Sequence, residues 1–430
     1  MAVRNTLYAG KALLSRDTTG ADRTQDETPS GRRMFRLLGS LAFGHSFVHF
    51  SGHAFVVLMA EVVSSLGLPP SAAGIIMASR SMGGALSQFP MGMLADRFAD
   101  RRTLFMTGAL LWFGVFYFSL GFTDDLVTIA ILAGLLGFGG ALWHPPAIGL
   151  ISTRLPERRA FGMAMHGIGA GVGDTLGPLI VGVLLLAFSW QTIFKLALIP
   201  GVLFAAVFFL LMHGFATGSS RGHTSMAGYF KALGESARHR PLLLSVVAGS
   251  TRTGGQMVLL AFVPLYALDD LGLGKGLVGA VASLLLGLSL VSQPVLAYIS
   301  DRIGRKYTVL PTAALLAILA PMLALTTGAT SLFVVVTAIG LLMFSTALVL
   351  NAYGLDIAPP ELHSSITAAQ FLSGLAVGGL SPLVAGAIAD SYGIGSAFIV
   401  AGVLFGTTTV MVLFLPNSKS GRPTTKFGAG

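Results

Sequence analysis

Three histidines, His45, His49 and His53, recur every four residues in a stretch that is otherwise mostly apolar or small. Successive i+4 steps on a helix drift by about 40°, so the three form a slanted stripe on one face, each about 6 Å above the last. Such a stripe can do two kinds of chemistry: hold a transition metal, or take up and release protons near neutral pH. A metal would favour a carboxylate at the same depth, and this stretch offers only Glu61, nearer its far end. The expected arrangement is therefore no metal site, with His49 and His53 lining a cavity and His45 packed against a neighbour. Asp174 is the one acid near the centre of any apolar run. It reads either as a proton carrier or as half of a fixed ion pair. Arg80 and Arg252 lie well inside two further runs, and a guanidinium recognises carboxylate or phosphate-like groups in bidentate fashion. The alternative for each arginine is an internal acid or backbone carbonyls as partner, and Asp174 alone cannot neutralise both. Gln256, Asn351, Tyr353 and Gln370 are neutral polar candidates for the same cavity.

These residues sit in a chain that cannot cover itself with a polar surface. Hydrophobic residues make up 53% and charged residues 10% of its 430 residues. A soluble domain carries about 25% charge. With mean hydropathy +0.78, the expectation is an all-α membrane protein. Twelve apolar runs are each long enough for about 30 Å of hydrocarbon. They fall near 37–63, 72–94, 103–122, 126–150, 160–187 and 191–212, then 242–268, 275–299, 307–328, 331–357, 363–389 and 394–415. The division follows as a polar tail 1–36, a six-helix half 37–212, a basic linker 213–240, a second six-helix half 241–415 and a tail 416–430. A short amphipathic helix is expected in the linker near Tyr229 to Ala237. Of the 27 lysines and arginines, 23 fall in the tails, the linker and alternate short loops, leaving Arg80, Lys195, Arg252 and Lys275. By the positive-inside rule both termini are cytoplasmic. The net charge of +9 is then a topology signal. Basic residues dispersed over short loops do not make a nucleic-acid surface.

Depth follows from these boundaries. His144 lies six residues before the end of the fourth run and His166 six residues after the start of the fifth, so both sit about 9 Å inside the same boundary. They are predicted to lie at matching depth on adjacent helices, where a close pair binds one proton more readily than two. With Asp174 they are the proton-coupling candidates. In the alternative, His144 turns its ring to backbone beside Pro145.

A charged stretch, GMLADRFADRRTL at Gly92 to Leu104, returns 205 residues later as AYISDRIGRKYTV at Ala297 to Val309. A repeat at half-length points to two similar membrane halves. Here the chain resembles the major facilitator superfamily, whose loop motif reads G-x-L-a-D-r-x-G-r-k. Gly92, Asp96, Arg97 and Arg101 match it in the first copy, with Ala99 and Asp100 as departures; Asp301, Arg302 and Arg305 match it in the second. The resemblance implies a conformational latch at these positions. The fifth run, GAGVGDTLGPLIVG, contains Gly173, Gly177, Pro178 and Gly182, similar to a signature common among that family's exporters. These small residues read equally as a close helix-packing motif. The arginine that exporters often place in the fourth run is Ala133 here. The step Trp143-His144-Pro145-Pro146 looks similar to the fosmidomycin-resistance-like, drug-efflux branch.

No P-loop and no HExxH is present. The expectation is a secondary transporter of the bacterial inner membrane working by alternating access. It would need no cofactor and would act as a monomer, with a small-molecule substrate, protons and the lipid bilayer as partners. Proton-coupled export of a small anionic compound is the leading reading. Proton-coupled uptake of an organic anion, or a non-transporting receptor or scaffold, are the alternatives.

Overall fold

The structure, a computed structural model, describes residues 31–215, 234, 239–357 and 363–416. The tails 1–30 and 417–430 and the linker helix near Tyr229 to Ala237 therefore lie outside the described residues, Gly234 excepted. Every regular element among the described residues is helical. The helices follow one another as α1 (Gly31–Ser65), α2 (Pro70–Arg97), α3 (Arg102–Leu120), α4 (Leu126–Arg154), α5 (Arg159–Leu184) and α6 (Trp190–Met212), the last broken at Ala197. The second series is α7 (Arg240–Asp269), α8 (Lys275–Ile303, broken at Leu288), α9 (Arg305–Met322), α10 (Ala329–Ile357), α11 (His363–Tyr392) and α12 (Gly395–Leu413).

Among the described residues, nine helices are long and apolar enough to cross a membrane by length and composition. Of the other three long ones, α2, α7 and α11, the first two are more polar and carry Arg80 and Arg252. They also pack on one another, with α11 lying along both α2 and α7. A helix walled in by other helices can keep polar side chains that a lipid-facing helix cannot.

The start of α1 differs from expectation. Residues 31–36, assigned above to a tail, form its first turns. Arg36 donates to the carbonyls of Leu211 (3.0 Å) and His213 (2.9 Å), and Arg33 to that of Gly214 (3.0 Å). These are the orphan carbonyls at the end of α6, where a helix favours cations. The two copies of the charged loop also turn differently. Gly304, with φ of 105°, joins α8 to α9 directly. Ala99 lacks that conformational freedom, and the chain there makes a 3-10 turn, Ala99–Arg101. At the head of α4, Asp125 accepts from the Thr128 N–H and hydroxyl, each at 2.8 Å. Those bonds hold its carboxyl below the usual carboxylate range.

Named contacts between the halves gather toward the end of the bundle remote from Gly31. Lys275 Nζ reaches Glu61 Oε1 at 2.5 Å, Ser64 donates to Asp269 at 2.5 Å, and the Ser71 N–H donates to Asp390 at 2.8 Å. Gly182 of α5 faces the Gly279 backbone of α8, where an added Cβ would sit 2.7 Å from the Gly279 Cα. The Glu61–Lys275 pair is expected to bias the halves toward closure at this end. The chain has no cysteine, so spin labels at Leu66→Cys and Leu271→Cys can report the separation of the α1 and α7 ends. Glu61→Gln should lengthen that distance distribution, and an unchanged distribution would remove the pair from the clasp.

Candidate functional site

The site begins with glycine. Gly169, Gly173 and Gly177 recur at i+4 on α5, and all three press on the backbone of α1. A Cβ on Gly173 would lie 2.6 Å from the Phe50 nitrogen and 2.8 Å from the His49 Cβ; one on Gly177 would lie 3.1 Å from the Ala54 nitrogen. No side chain fits there, so α5 closes on α1 as small-residue stripes allow. Asp174 follows Gly173, and the close approach delivers its carboxylate to the histidine stripe. Asp174 Oδ1 lies 2.7 Å from His49 Nδ1 and 2.6 Å from His53 Nδ1. The carboxylate judged missing from the depth of the stripe is thus supplied by another helix, 125 residues away in sequence.

The other end of the stripe gathers His144 and His166. His45 Nδ1 donates to the His166 carbonyl at 2.8 Å, and its ring stacks on that of His166 with centroids 3.6 Å apart. His144 Nδ1 donates to the Gly140 carbonyl at 2.7 Å. With both Nδ1 atoms committed as donors, each neutral ring keeps its lone pair on Nε2. Those two Nε2 atoms face each other at 3.4 Å. Two acceptors at that distance are reconciled by one shared proton or one shared cation. Trp143 lies parallel to His45 and His166, with centroids 6.1 and 6.3 Å away, and closes that side with an apolar wall.

His45 is therefore the hub of the group and not a packed bystander. The expected direct pairing of His144 with His166 is corrected in the same way. Helices α4 and α5 touch little, because α1 packs along α5 while α4 packs mainly on α2 and α3. The two histidines meet through His45. His144 also makes the backbone contact foreseen as its alternative role.

Neither Arg80 nor Arg252 has a carboxylate partner among the described residues. Arg80 lies against α1, its guanidinium 5.2 Å above the Phe55 ring and close to Gly52. Arg252 is 7% exposed and bonds only neutral groups: Gln256 Oε1 (2.7 Å), the Thr253 hydroxyl (2.9 Å) and the Met343 carbonyl (3.2 Å). Gln256 is thereby an arginine-positioning group. A separate cavity of about 480 Å³ lies between α1, α3, α5 and α6, lined almost wholly by apolar side chains such as Phe47, Leu176 and Phe204. It contains none of these charged groups.

The sequence model of the Major Facilitator Superfamily matches residues 41–382. The chain belongs to the major facilitator superfamily. It is an integral membrane protein of a family of transporters, not enzymes. An uncharacterised MFS-type transporter of Mycobacterium tuberculosis is 33% identical over 184 residues, 43% of this chain and 42% of that protein. Multidrug resistance protein MdtG of Proteus mirabilis is 29% identical over 218 residues, 50% of this chain and 53% of that protein. The hexuronate transporter of Bacillus subtilis is 27% identical over 149 residues, 34% and 35% of the two chains. These matches span about half or less of the relatives' length. Among solved structures, an inward-facing bacterial homolog of the human lysosomal transporter Spinster superposes with a TM-score of 0.72. It is 16% identical and covers 90% of this chain and 95% of that one, a likeness of fold.

The superfamily's loop motif is built with one substitution of partner. Asp96 meets Arg102 at 3.5 Å, and Arg102 is the buried member. Arg97 and Arg101 instead flank the Phe98 ring at 5.7 and 5.6 Å, and Arg101 lies 3.8 Å from Asp100. A shift of one residue turns a helical side chain by about 100°, which decides which arginine points inward. A Cβ at Gly92 would meet nothing. In the second half Arg305 joins Asp301 (2.6 Å) and Asp356 (2.8 Å), while Arg302 lies over Tyr298.

The three remaining neutral candidates lie on α10 and α11. Tyr353 is fully buried and donates to the Pro416 carbonyl, packing α10 against the end of the described chain. Gln370 is buried against Gly354 between α11 and α10. Asn351 lies exposed on α10. Lys195 is exposed beyond the core and caps the Phe122 ring at 4.4 Å.

Proposed function

We propose that the protein is a proton-coupled secondary transporter exporting a small anionic compound by alternating access. In this reading the chain crosses the bacterial inner membrane twelve times, with both termini in the cytoplasm. The observation that carries it is an imbalance of charge. The one acid at the centre of the first half is spent on two histidines, while Arg80 and Arg252, one from each half, have no carboxylate partner among the described residues. Leaving cations unneutralised at membrane depth is costly, and an anionic substrate spanning the halves would offset that cost. Protons would enter the histidine group through the facing Nε2 atoms of His45 and His144 and reach Asp174 by way of His49.

Export is favoured by a relative named for it, the tetracenomycin C resistance and export protein of Streptomyces glaucescens, and by one named for multidrug resistance, MdtG. The hexuronate transporter supports the second reading, proton-coupled uptake of an organic anion. Assignment to the fosmidomycin-resistance-like branch rests on the Trp143 to Pro146 step. A receptor or scaffold would show ligand binding without flux.

The test uses purified protein in proteoliposomes. Ligands come from a thermal-shift screen of small carboxylates, phosphonates, amines and neutral compounds, since a ligand of the folded state raises its apparent stability. Anionic compounds should dominate the hits. Transport of a hit should depend on pH, and the His144→Gln, His166→Gln double variant should flatten that dependence. Amine-only hits, or an unaltered pH profile in the folded double variant, would contradict the proposal.

A further inference from the structure

Five imidazoles and one carboxylate gather on three helices, but only some present a free lone pair to a common point. One ring nitrogen each from His45, His49 and His144 lies within 4.8 Å of the others. In all three rings Nδ1 is already committed. His49 Nδ1 bonds the Asp174 carboxylate at 2.7 Å, His45 Nδ1 the His166 carbonyl at 2.8 Å, and His144 Nδ1 the Gly140 carbonyl at 2.7 Å. Each bond fixes the tautomer and leaves the lone pair of its ring on Nε2. Metal-binding histidines are held in this way, the second nitrogen donating to a carboxylate or a backbone carbonyl.

We infer that His45, His49 and His144 form a three-histidine site for a borderline divalent cation of the Zn²⁺ class, with Asp174 orienting His49 from behind.

The spacing of His45 and His144 suits that ion. With Zn–N bonds of 2.0–2.1 Å, tetrahedral ligands stand about 3.3 Å apart. The Nε2 atoms of His45 and His144 stand 3.4 Å apart. Three imidazoles leave a fourth position for water or an anion. His49 keeps 24% side-chain exposure, so the site is reachable. Neutral nitrogen donors select against Mg²⁺ and Ca²⁺, which want oxygen ligands. Arg80, beside Gly52, opposes a dication, and the Asp174 carboxylate offsets it through His49. His53 and His166 remain outside the ligand set: His53 turns Nδ1 to Asp174, and His166 serves as a stacking surface for His45. The inference stands apart from the transport reading, although a cation and a proton would compete for the same lone pairs.

Untagged protein in nanodiscs, free of affinity-tag histidines, is titrated with Zn²⁺ alone by calorimetry. The expected result is saturable binding of one ion, with Mg²⁺ giving no heat. His144→Gln should abolish it. Asp174→Asn should weaken it about 10–100-fold, the usual loss for an orienting partner. His166→Gln should keep most of it. The wild-type protein loaded with Co²⁺ should show the visible bands of a four-coordinate site, which needs no variant to fold. Absence of saturable Zn²⁺ binding, equal affinity in wild type and folded His144→Gln, or an octahedral Co²⁺ spectrum would each overturn the assignment. Absence of pH-driven transport in the wild-type protein, with Zn²⁺ binding present, would sink the coupling proposal and leave this one standing.

Discussion

Replacing Asp174 by Asn should abolish accumulation driven by a pH gradient while leaving substrate exchange across the membrane intact. The reason is local. Asp174 Oδ1 lies 2.7 Å from His49 Nδ1 and 2.6 Å from His53 Nδ1, and it is the acid to which the histidine group leads. Asparagine keeps the shape and can still accept from an imidazole, but it carries no charge and no exchangeable acid. The barrel of packed helices should survive, because the close fit of α5 on α1 depends on Gly173 and Gly177 and not on the carboxylate. Counterflow of labelled substrate with equal pH on both sides measures alternating access alone. Loss of both activities in a folded Asp174→Asn protein would place Asp174 in substrate binding instead. Retention of both would exclude it from coupling.

The second large effect is on affinity. Arg80→Ala and Arg252→Ala should each weaken binding of an anionic substrate about tenfold to hundredfold. A hydrogen bond to a charged group is worth about 1.5–3 kcal/mol, and about 1.4 kcal/mol is a factor of ten. Lysine should restore only part, since a point charge does not reproduce a bidentate fork. The two sites differ in one respect. Arg252 is held by Gln256 and Thr253, so it is preset, whereas Arg80, among the described residues, rests on the Phe55 face and should tolerate a shifted ligand. Gln256→Ala should therefore cost affinity for the same substrates while Arg252 remains. Unchanged affinity in both arginine variants, read by thermal shift or calorimetry, would remove them from the site.

How much of this was legible in the sequence depends on the kind of signal. The apolar runs and the repeated charged loop located the helices within a few residues, because hydropathy and half-length repetition are local or self-referential. The stripe of His45, His49 and His53 was legible as one face of a helix. Its partner was not. Asp174 lies 125 residues from His49, and nothing in periodicity says that α5 packs on α1 and not on α4. The clue lay in Gly169, Gly173 and Gly177, whose i+4 spacing marks a face that meets another backbone; Asp174 flanks that face. Glycine says that a helix comes close, but not which helix. The same limit explains Tyr353, whose hydroxyl finds the Pro416 carbonyl. It also explains Arg102, where one residue of helical phase separates a buried partner of Asp96 from the exposed Arg101. For His45 the sequence supports only packing, because the lone pairs that make it a hub appear only once the His166 and Gly140 carbonyls are in place.

The central claim is that movement of an anionic substrate is tied to movement of protons. Wild-type protein is reconstituted into liposomes containing a pH-sensitive dye, and the anionic compound that most stabilises the purified protein is added on one side at equal starting pH. The account predicts a pH change inside the vesicles that begins with substrate addition, scales with flux and disappears with Asp174→Asn. Substrate flux with no accompanying pH change, at a detection limit well below one proton per molecule, would contradict it.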